Sequence, residues 1–210
     1  QRGTSSTTSG YGTVDRFQIV YDGTDESPTQ AQVDVSSGTT PYTEGFRKAL
    51  KITNGNQTSG AGTGDYIYIR QKLEAQNLAN SGWNYVSSNN FITLSFWVKS
   101  SVAQTFYGYL KTDTGTEKNY PFETGSLTAD TWTKIVRTIP GNSDISVDNG
   151  NGTGLEIVIA PFWGTDFTGS VSLNAWSNWS SATRTPDSTS TFYTTNDATF
   201  EITGVQLEVG

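Results

Sequence analysis

The sequence predicts an all-β fold: two antiparallel sheets packed as a sandwich, with one short helix. Three observations carry this. Apolar and polar residues alternate in segments of roughly four to eight residues, the signature of half-buried strands. Those segments are bounded by Gly, Asn, Asp and Ser, and helical periodicity is nearly absent.

In chain order the strands read Val14–Tyr21, Gln32–Val35, Lys48–Thr53, Tyr66–Arg70, Ile92–Lys99, Thr105–Lys111, Thr131–Ile139, Leu155–Pro161, Gly169–Leu173 and Thr199–Val209. Gln71–Ala79 contains good helix formers without Gly or Pro, which places the short helix there. In the last strand Phe200 and Ile202 share one parity, and Val205, Leu207 and Val209 the other. A β-bulge at Gly204 adds one residue and brings all five to one core, because a one-residue slip exchanges the faces; the alternative is that the strand ends near Thr203. The polar runs 55–64 and 142–154 read as long loops. Neither a fixed-period repeat nor a Pro-rich linker divides the chain, so residues 1–210 are expected to form one domain, with 1–13 as an extended arm.

Composition excludes much chemistry. With His 0 and Cys 0 there is no Ser-His or Cys-His nucleophile, no zinc site of the usual ligands and no disulfide. Lys+Arg 13 against Asp+Glu 20 gives a net charge of -7, which repels phosphate backbones and anionic lipid, so neither nucleic acid nor membrane is an expected partner. With Met 0 and a first residue Gln1, the chain is read as a piece of a longer polypeptide.

Some of the six Trp, ten Tyr and ten Phe must build the core, and parity sorts which do not. In Ile92–Lys99 the residues Ile92, Leu94, Phe96 and Val98 face inward and Trp97 outward; in Thr105–Lys111, Phe106, Gly108 and Leu110 face inward and Tyr107 and Tyr109 outward. If these strands pair across the short 100–104 connection, Trp97, Tyr107 and Tyr109 form an exposed strip. Rings flanked by Lys, Ser and Thr have the chemistry of a sugar platform, since the C–H face of a pyranose stacks on the ring while its hydroxyls bond to polar neighbours. The alternative is that a loop, a second layer or another subunit covers this face. Trp163, Trp176 and Trp179 fall in loop-like sequence and carry the same two readings. Trp83 and Tyr85 share the ambiguity, and Trp132 reads as a core plug.

Catalytic motifs are weak. Glycoside hydrolysis needs two carboxylates about 5 to 9.5 Å apart, one with a raised pKa, and no recognisable pair occurs. The chain is therefore not expected to be an enzyme. Asp144, Ser146 and Asp148 begin with the spacing of a calcium loop, but Asn149 stands where the sharp turn needs Gly and Leu155 where a bidentate Glu belongs. That segment reads as a solvated loop, with a structural calcium as the weaker alternative, and no other cofactor is expected.

Several strings occur together: Gln1-Arg2-Gly3-Thr4-Ser5 followed by Asp15-Arg16-Phe17, Ile69-Arg70-Gln71-Lys72-Leu73-Glu74, Leu94-Ser95-Phe96-Trp97-Val98-Lys99-Ser100, Trp132-Thr133-Lys134 with Thr138-Ile139-Pro140-Gly141, and the ending from Phe200 through Ile202-Thr203-Gly204-Val205-Gln206-Leu207-Glu208-Val209-Gly210. Across essentially the whole chain they resemble the carbohydrate-binding-module-like jelly-roll domain, of galactose-binding type, found in tail-fibre and other virion structural proteins of tailed bacteriophages. The resemblance implies a jelly roll displayed on a virion, in a tail fibre, head fibre or capsid decoration. Its implied partners are other virion proteins, copies of itself in a homo-oligomer, and a host-surface polysaccharide. It transfers no sugar site residue by residue, and because Trp97 belongs to a recurring family string its role is equally readable as structural. Two rivals stand beside it: a carbohydrate-binding module of a secreted polysaccharide-degrading enzyme, and a structural spacer without ligand.

Overall fold

The computed structural model describes residues 3–210 and is an all-β jelly-roll sandwich of two six-stranded antiparallel sheets. The strands are β1 (Ser5–Ser6), β2 (Phe17–Asp22), β3 (Thr29–Asp34), β4 (Lys48–Thr53), β5 (Tyr66–Glu74), β6 (Phe91–Ser100), β7 (Thr105–Thr112), β8 (Lys118–Ser126), β9 (Thr133–Pro140), β10 (Thr153–Trp163), β11 (Ser177–Asn178) and β12 (Thr199–Val209). The first sheet runs β1-β3-β4-β12-β6-β9 and the second β11-β8-β7-β10-β5-β2. Short helices α1 (Thr40–Thr43), α2 (Ala75–Ala79) and α3 (Thr191–Thr194) decorate them.

The core lies between the sheets. Leu50, Ile52, Leu94, Phe96, Val98, Phe200 and Ile202 of the first sheet meet Ile19, Ile67, Ile69, Phe106, Leu110, Phe122, Leu155 and Ile157 of the second. Each set shares one parity along its strand, because successive side chains point to opposite faces. Gly108 faces this core, where the Phe122 ring and the Val158 carbonyl would each lie 2.5 Å from an added Cβ. Residues 3–13 do not project as an arm: Ser5 and Ser6 pair with Ala31 and Gln30, and Gly10 bridges to Ile19 of the other sheet. Gln1 and Arg2 lie outside the described residues.

Four local expectations are corrected. Gln71–Glu74 continue β5 and only Ala75–Ala79 are helical, because the register against Ile157 and Leu155 keeps Gln71 and Leu73 in the ladder and overrides their helix propensity. Residues 169–173 form no strand; Gly169 donates to the Thr185 carbonyl within a long connection. Lys118–Ser126, not expected as a strand, is one despite Pro121, whose carbonyl accepts the amide of Asn174 on the side away from β7. Trp132 is half-buried outside the core, with the Lys99 ammonium 5.1 Å from its ring.

The bulge in β12 is present. Thr203 pairs with Trp97 and Gln206 with Ser95, so two residues oppose one, and Gly204 sits at φ 62°. Phe200 and Ile202 are buried, Val205 and Leu207 pack partly against the same core, and Val209 at the strand end is 51% exposed. A Cβ on Gly204 would lie 2.6 Å from the Phe46 ring. Gly204→Ala is expected to cost about 1–3 kcal/mol in urea unfolding, combining left-handed strain with the collision. Adding Phe46→Leu should recover the steric part; unchanged stability in the single variant would contradict this account of the bulge.

Candidate functional site

The outward face of the second sheet carries a second, smaller cluster. β5 turns Tyr66, Tyr68, Arg70 and Lys72 outward, opposite in parity to core residues Ile67 and Ile69. β7 contributes Tyr109, and β10 contributes Val158, Ala160 and Trp163. Trp163 reaches this face through a register shift. Ile159 pairs with Ile69 but Phe162 with Ile67, so one extra residue re-phases the strand. Without it, Trp163 would share the inward parity of Ile157 and Ile159. Pro161 inside the strand is the sequence signal for this irregularity.

The connection 164–187 folds back over part of the face. It is stitched down where Asn119 donates to the Arg184 carbonyl at 2.9 Å and Trp179 N to the Glu117 carbonyl at 2.9 Å, and is braced internally where Thr168 donates to Asp187 at 2.7 Å. It brings Phe167, Trp179 and Arg184 to the sheet aromatics. Tyr68 stacks on Trp163 with centroids 4.8 Å apart, Tyr66 meets Phe167 edge-on at 5.3 Å, and Tyr109 lies 5.2 Å from Trp179. The Arg184 guanidinium lies 4.5 Å from the ring centres of both Trp163 and Phe167. Trp163 and Tyr109 are buried beneath, whereas Tyr66, Tyr68, Phe167 and Trp179 remain partly open. The Trp163 indole N–H is buried and has no hydrogen-bond partner among the described residues.

Burial pushes the Tyr109 phenol well above its ordinary value and raises Tyr68 as well, so both rings stay neutral. Next to the rings, Glu156 lies 3.4 Å from Arg70 and 3.2 Å from Lys72, and Arg70 also donates twice to Gln18. On the opposite flank Lys111 pairs with Asp113 and with Glu117 at 2.7 Å while lying 5.2 Å from the Trp179 ring.

At the rim, Trp163 and Phe162 also line a cleft of about 290 Å³ with Gly62, Thr63, Thr165, Ser188 and Ser190. Its walls are held by Thr63 donating to Asp166 and by Gly164 N donating to the Asp65 carbonyl at 2.8 Å. Asn54 is buried and donates to the Phe192, Tyr193 and Thr195 carbonyls, fixing α3 beside this loop.

Of the residues singled out by sequence, Tyr109, Trp163 and Trp179 come together. Tyr107 lies on the same strand and face, half-buried near Glu123 and Asp187. Trp97 does not join them, and the expected strip of Trp97, Tyr107 and Tyr109 does not form. β6 and β7 belong to opposite sheets because residues 101–104 cross between the layers. Trp97 does face outward, but it is only 6% exposed, its indole donating to Glu44 at 3.0 Å under the α1 connection. The bonds from Trp97 and Lys134 hold the Glu44 carboxyl below its ordinary value. Trp176 packs on Tyr120 and donates to the Pro140 carbonyl, closing the edge between the sheets. Sequence reasoning misses Tyr66, Tyr68, Phe167 and Arg184, although Tyr66 and Tyr68 carry the outward parity of their strand.

In the 144–148 segment each oxygen has its own protein partner: Asp144 accepts from Lys118, Asp148 from the Gly150 amide and the Ser146 carbonyl from Thr114. Among the described residues no group of three or more Asp or Glu is placed to hold a metal ion.

No family model matches the sequence, and no curated protein matches it. Solved structures do. A candidate sugar-binding protein from Bacteroides thetaiotaomicron aligns over 97% of this chain and 95% of its own, with TM-score 0.50 and 13% identity. The enzymatically active domain of bacteriophage CBA120 tailspike protein 4 aligns over 93% of this chain but only 20% of its own, with TM-score 0.50 and 9% identity. The N-terminal cellulose-binding domain of Cellulomonas fimi β-1,4-glucanase C aligns over 100% and 96%, with TM-score 0.46 and 11% identity. At such identities the likeness to the first two is one of fold.

Proposed function

We propose that this domain binds glycan, without catalysis, through the outward aromatic face of the second sheet and the neutral cleft beside it. The observation that carries the reading is the placement of partly open rings, Tyr66, Tyr68, Phe167 and Trp179, over buried supports, Trp163 and Tyr109, next to a rim of hydroxyls and backbone amides. A few open rings with convergent polar groups form the usual make-up of a ligand site. Glu156 in the middle of the face is ion-paired twice, with Arg70 and Lys72, which commits it to holding the sheet surface together.

Its setting, in the same proposal, is the virion of a tailed phage, as a tail-fibre, head-fibre or decoration domain that docks to other virion proteins and repeats as a homo-oligomer. The sequence strings support this, and a fold shared with part of a phage tailspike accords with it. A binding module attached to a polysaccharide-degrading enzyme would use the same face; a fold shared end to end with a candidate sugar-binding protein favours that second reading as much. Detection of the chain by mass spectrometry in purified particles separates the two. The binding itself is tested by a polysaccharide array probed with the 210-residue chain: selective retention on a subset of polymers is expected, and retention on none would leave the structural spacer.

A further inference from the structure

We infer that the glycan taken by this face is anionic, carrying carboxylate or sulfate groups; this rests on the glycan-binding reading and deepens it. Around Tyr68 and Trp163 the cations outnumber the carboxylates paired with them, whereas Glu123 and Asp187 lie beside Tyr107. Arg70 and Lys72 share the single carboxylate of Glu156, which leaves one positive charge of the three groups uncompensated, and Lys72 keeps 37% of its side chain exposed. Arg184 is the stronger case. Its Nε donates to the Ser181 carbonyl, and its guanidinium lies against Trp163, Phe167 and Trp179. Among the described residues no carboxylate pairs with it, and its terminal Nη groups make no hydrogen bond.

A guanidinium keeps its charge at any ordinary pH, and its planar fork matches a carboxylate or sulfate. Aromatic faces orient such a group without neutralising it. The charges of Arg184, Arg70 and Glu156 all act on the Tyr68 phenol, and Arg70 lies 5.9 Å from its ring, so the rings and the charged groups share one site. Lys111 differs, being answered by Asp113 and Glu117, and is a structural residue. The chain as a whole carries -7 and repels polyanions at long range, so the attraction has to be local and shaped.

The test is affinity electrophoresis of the intact chain in gels holding polygalacturonate, carrageenan, hydroxyethylcellulose or polyglutamate. Retardation by polygalacturonate or carrageenan is expected, whichever acid group the site prefers, at least about tenfold stronger than by neutral hydroxyethylcellulose. Polyglutamate, charged but without sugar, should leave mobility unchanged. Arg184→Gln should weaken the acidic-polymer interaction about tenfold, the effect of losing one charge-assisted bond, while Arg184→Lys loses less. Because Arg184 also packs the connection, Lys72→Gln, at an exposed position, serves as a second variant and should weaken the interaction at unchanged melting temperature. Equal retardation by hydroxyethylcellulose or polyglutamate, or no effect of either neutral variant, would overturn the acidic preference. Binding of hydroxyethylcellulose alone would do so while leaving glycan binding intact, and binding of no polysaccharide would remove both.

Discussion

Trp163→Ala is expected to lower the folding stability by about 3–5 kcal/mol, the usual cost of deleting a buried Trp, and the melting temperature by roughly 6–20 °C for a chain of this size. The argument is local. Trp163 is 1% exposed and contacts the rings of Tyr66, Tyr68, Tyr109 and Phe167. It also supports Arg184, so its loss opens a cavity between sheet and connection and removes the aromatic surface that orients the guanidinium. Trp163→Phe makes the comparison informative. Because the indole N–H has no hydrogen-bond partner among the described residues, phenylalanine forfeits ring size but no bond, and should cost less than half as much. Trp176→Ala is the contrasting control: that side chain is half-buried at the sandwich edge and its indole N–H does donate, to Pro140, at 2.7 Å. Thermal and urea unfolding followed by circular dichroism would measure all three. A shift below about 2 °C for Trp163→Ala, well under the range expected for a buried Trp, would show that the connection 164–187 holds without the ring pile, and would remove that pile as the organiser of the site.

The parts of this architecture that sequence reveals are those governed by alternation alone. Ile92, Leu94, Phe96 and Val98 are inward as their parity requires, and so are Phe106, Gly108 and Leu110. The bulge at Gly204 is legible because an apolar pattern that changes parity across a glycine keeps a single buried face only when one extra residue is inserted there. Strand order is different in kind. Parity says which side chains share a face of one strand and nothing about which strands are neighbours, so a five-residue link reads equally as a hairpin or as a crossing between layers. Parity therefore groups Trp97 with Tyr107 and Tyr109, although it lies on the far sheet under Glu44. The aromatic site is hidden for two further reasons. Trp163 reverses its parity at an irregularity marked only by Pro161. Phe167, Trp179 and Arg184 arrive on an aperiodic connection, whose path over the sheet is set by side-chain-to-backbone bonds such as Asn119 to Arg184.

Simultaneous replacement of Tyr68 and Trp179 by alanine is expected to reduce glycan binding at least about 30-fold while leaving the fold in place. Central aromatic contacts of a binding face commonly contribute about 2 kcal/mol or more when truncated, and every 1.4 kcal/mol is a factor of ten. Two such losses exceed about 30-fold even if they are not fully additive, as neighbours on one face rarely are. Both rings are partly open, one on β5 and the other on the connection, so the pair samples both walls of the site. Neither belongs to the core between the sheets, whereas Trp163 and Tyr109 beneath them are retained to preserve the floor. The design separates contact from scaffold: Tyr68→Phe keeps the ring and drops only the phenol, and should retain most of the affinity if stacking on the sugar face is the main contribution. Trp97→Ala provides the internal reference, since its indole is covered by the α1 connection on the opposite sheet and its removal should leave binding unchanged at some cost in stability. The measurement is titration calorimetry against whichever polysaccharide the array retains. Full affinity in the Tyr68→Ala/Trp179→Ala variant, or a Trp97→Ala variant that folds but no longer binds, would move the site off this face and onto the first sheet.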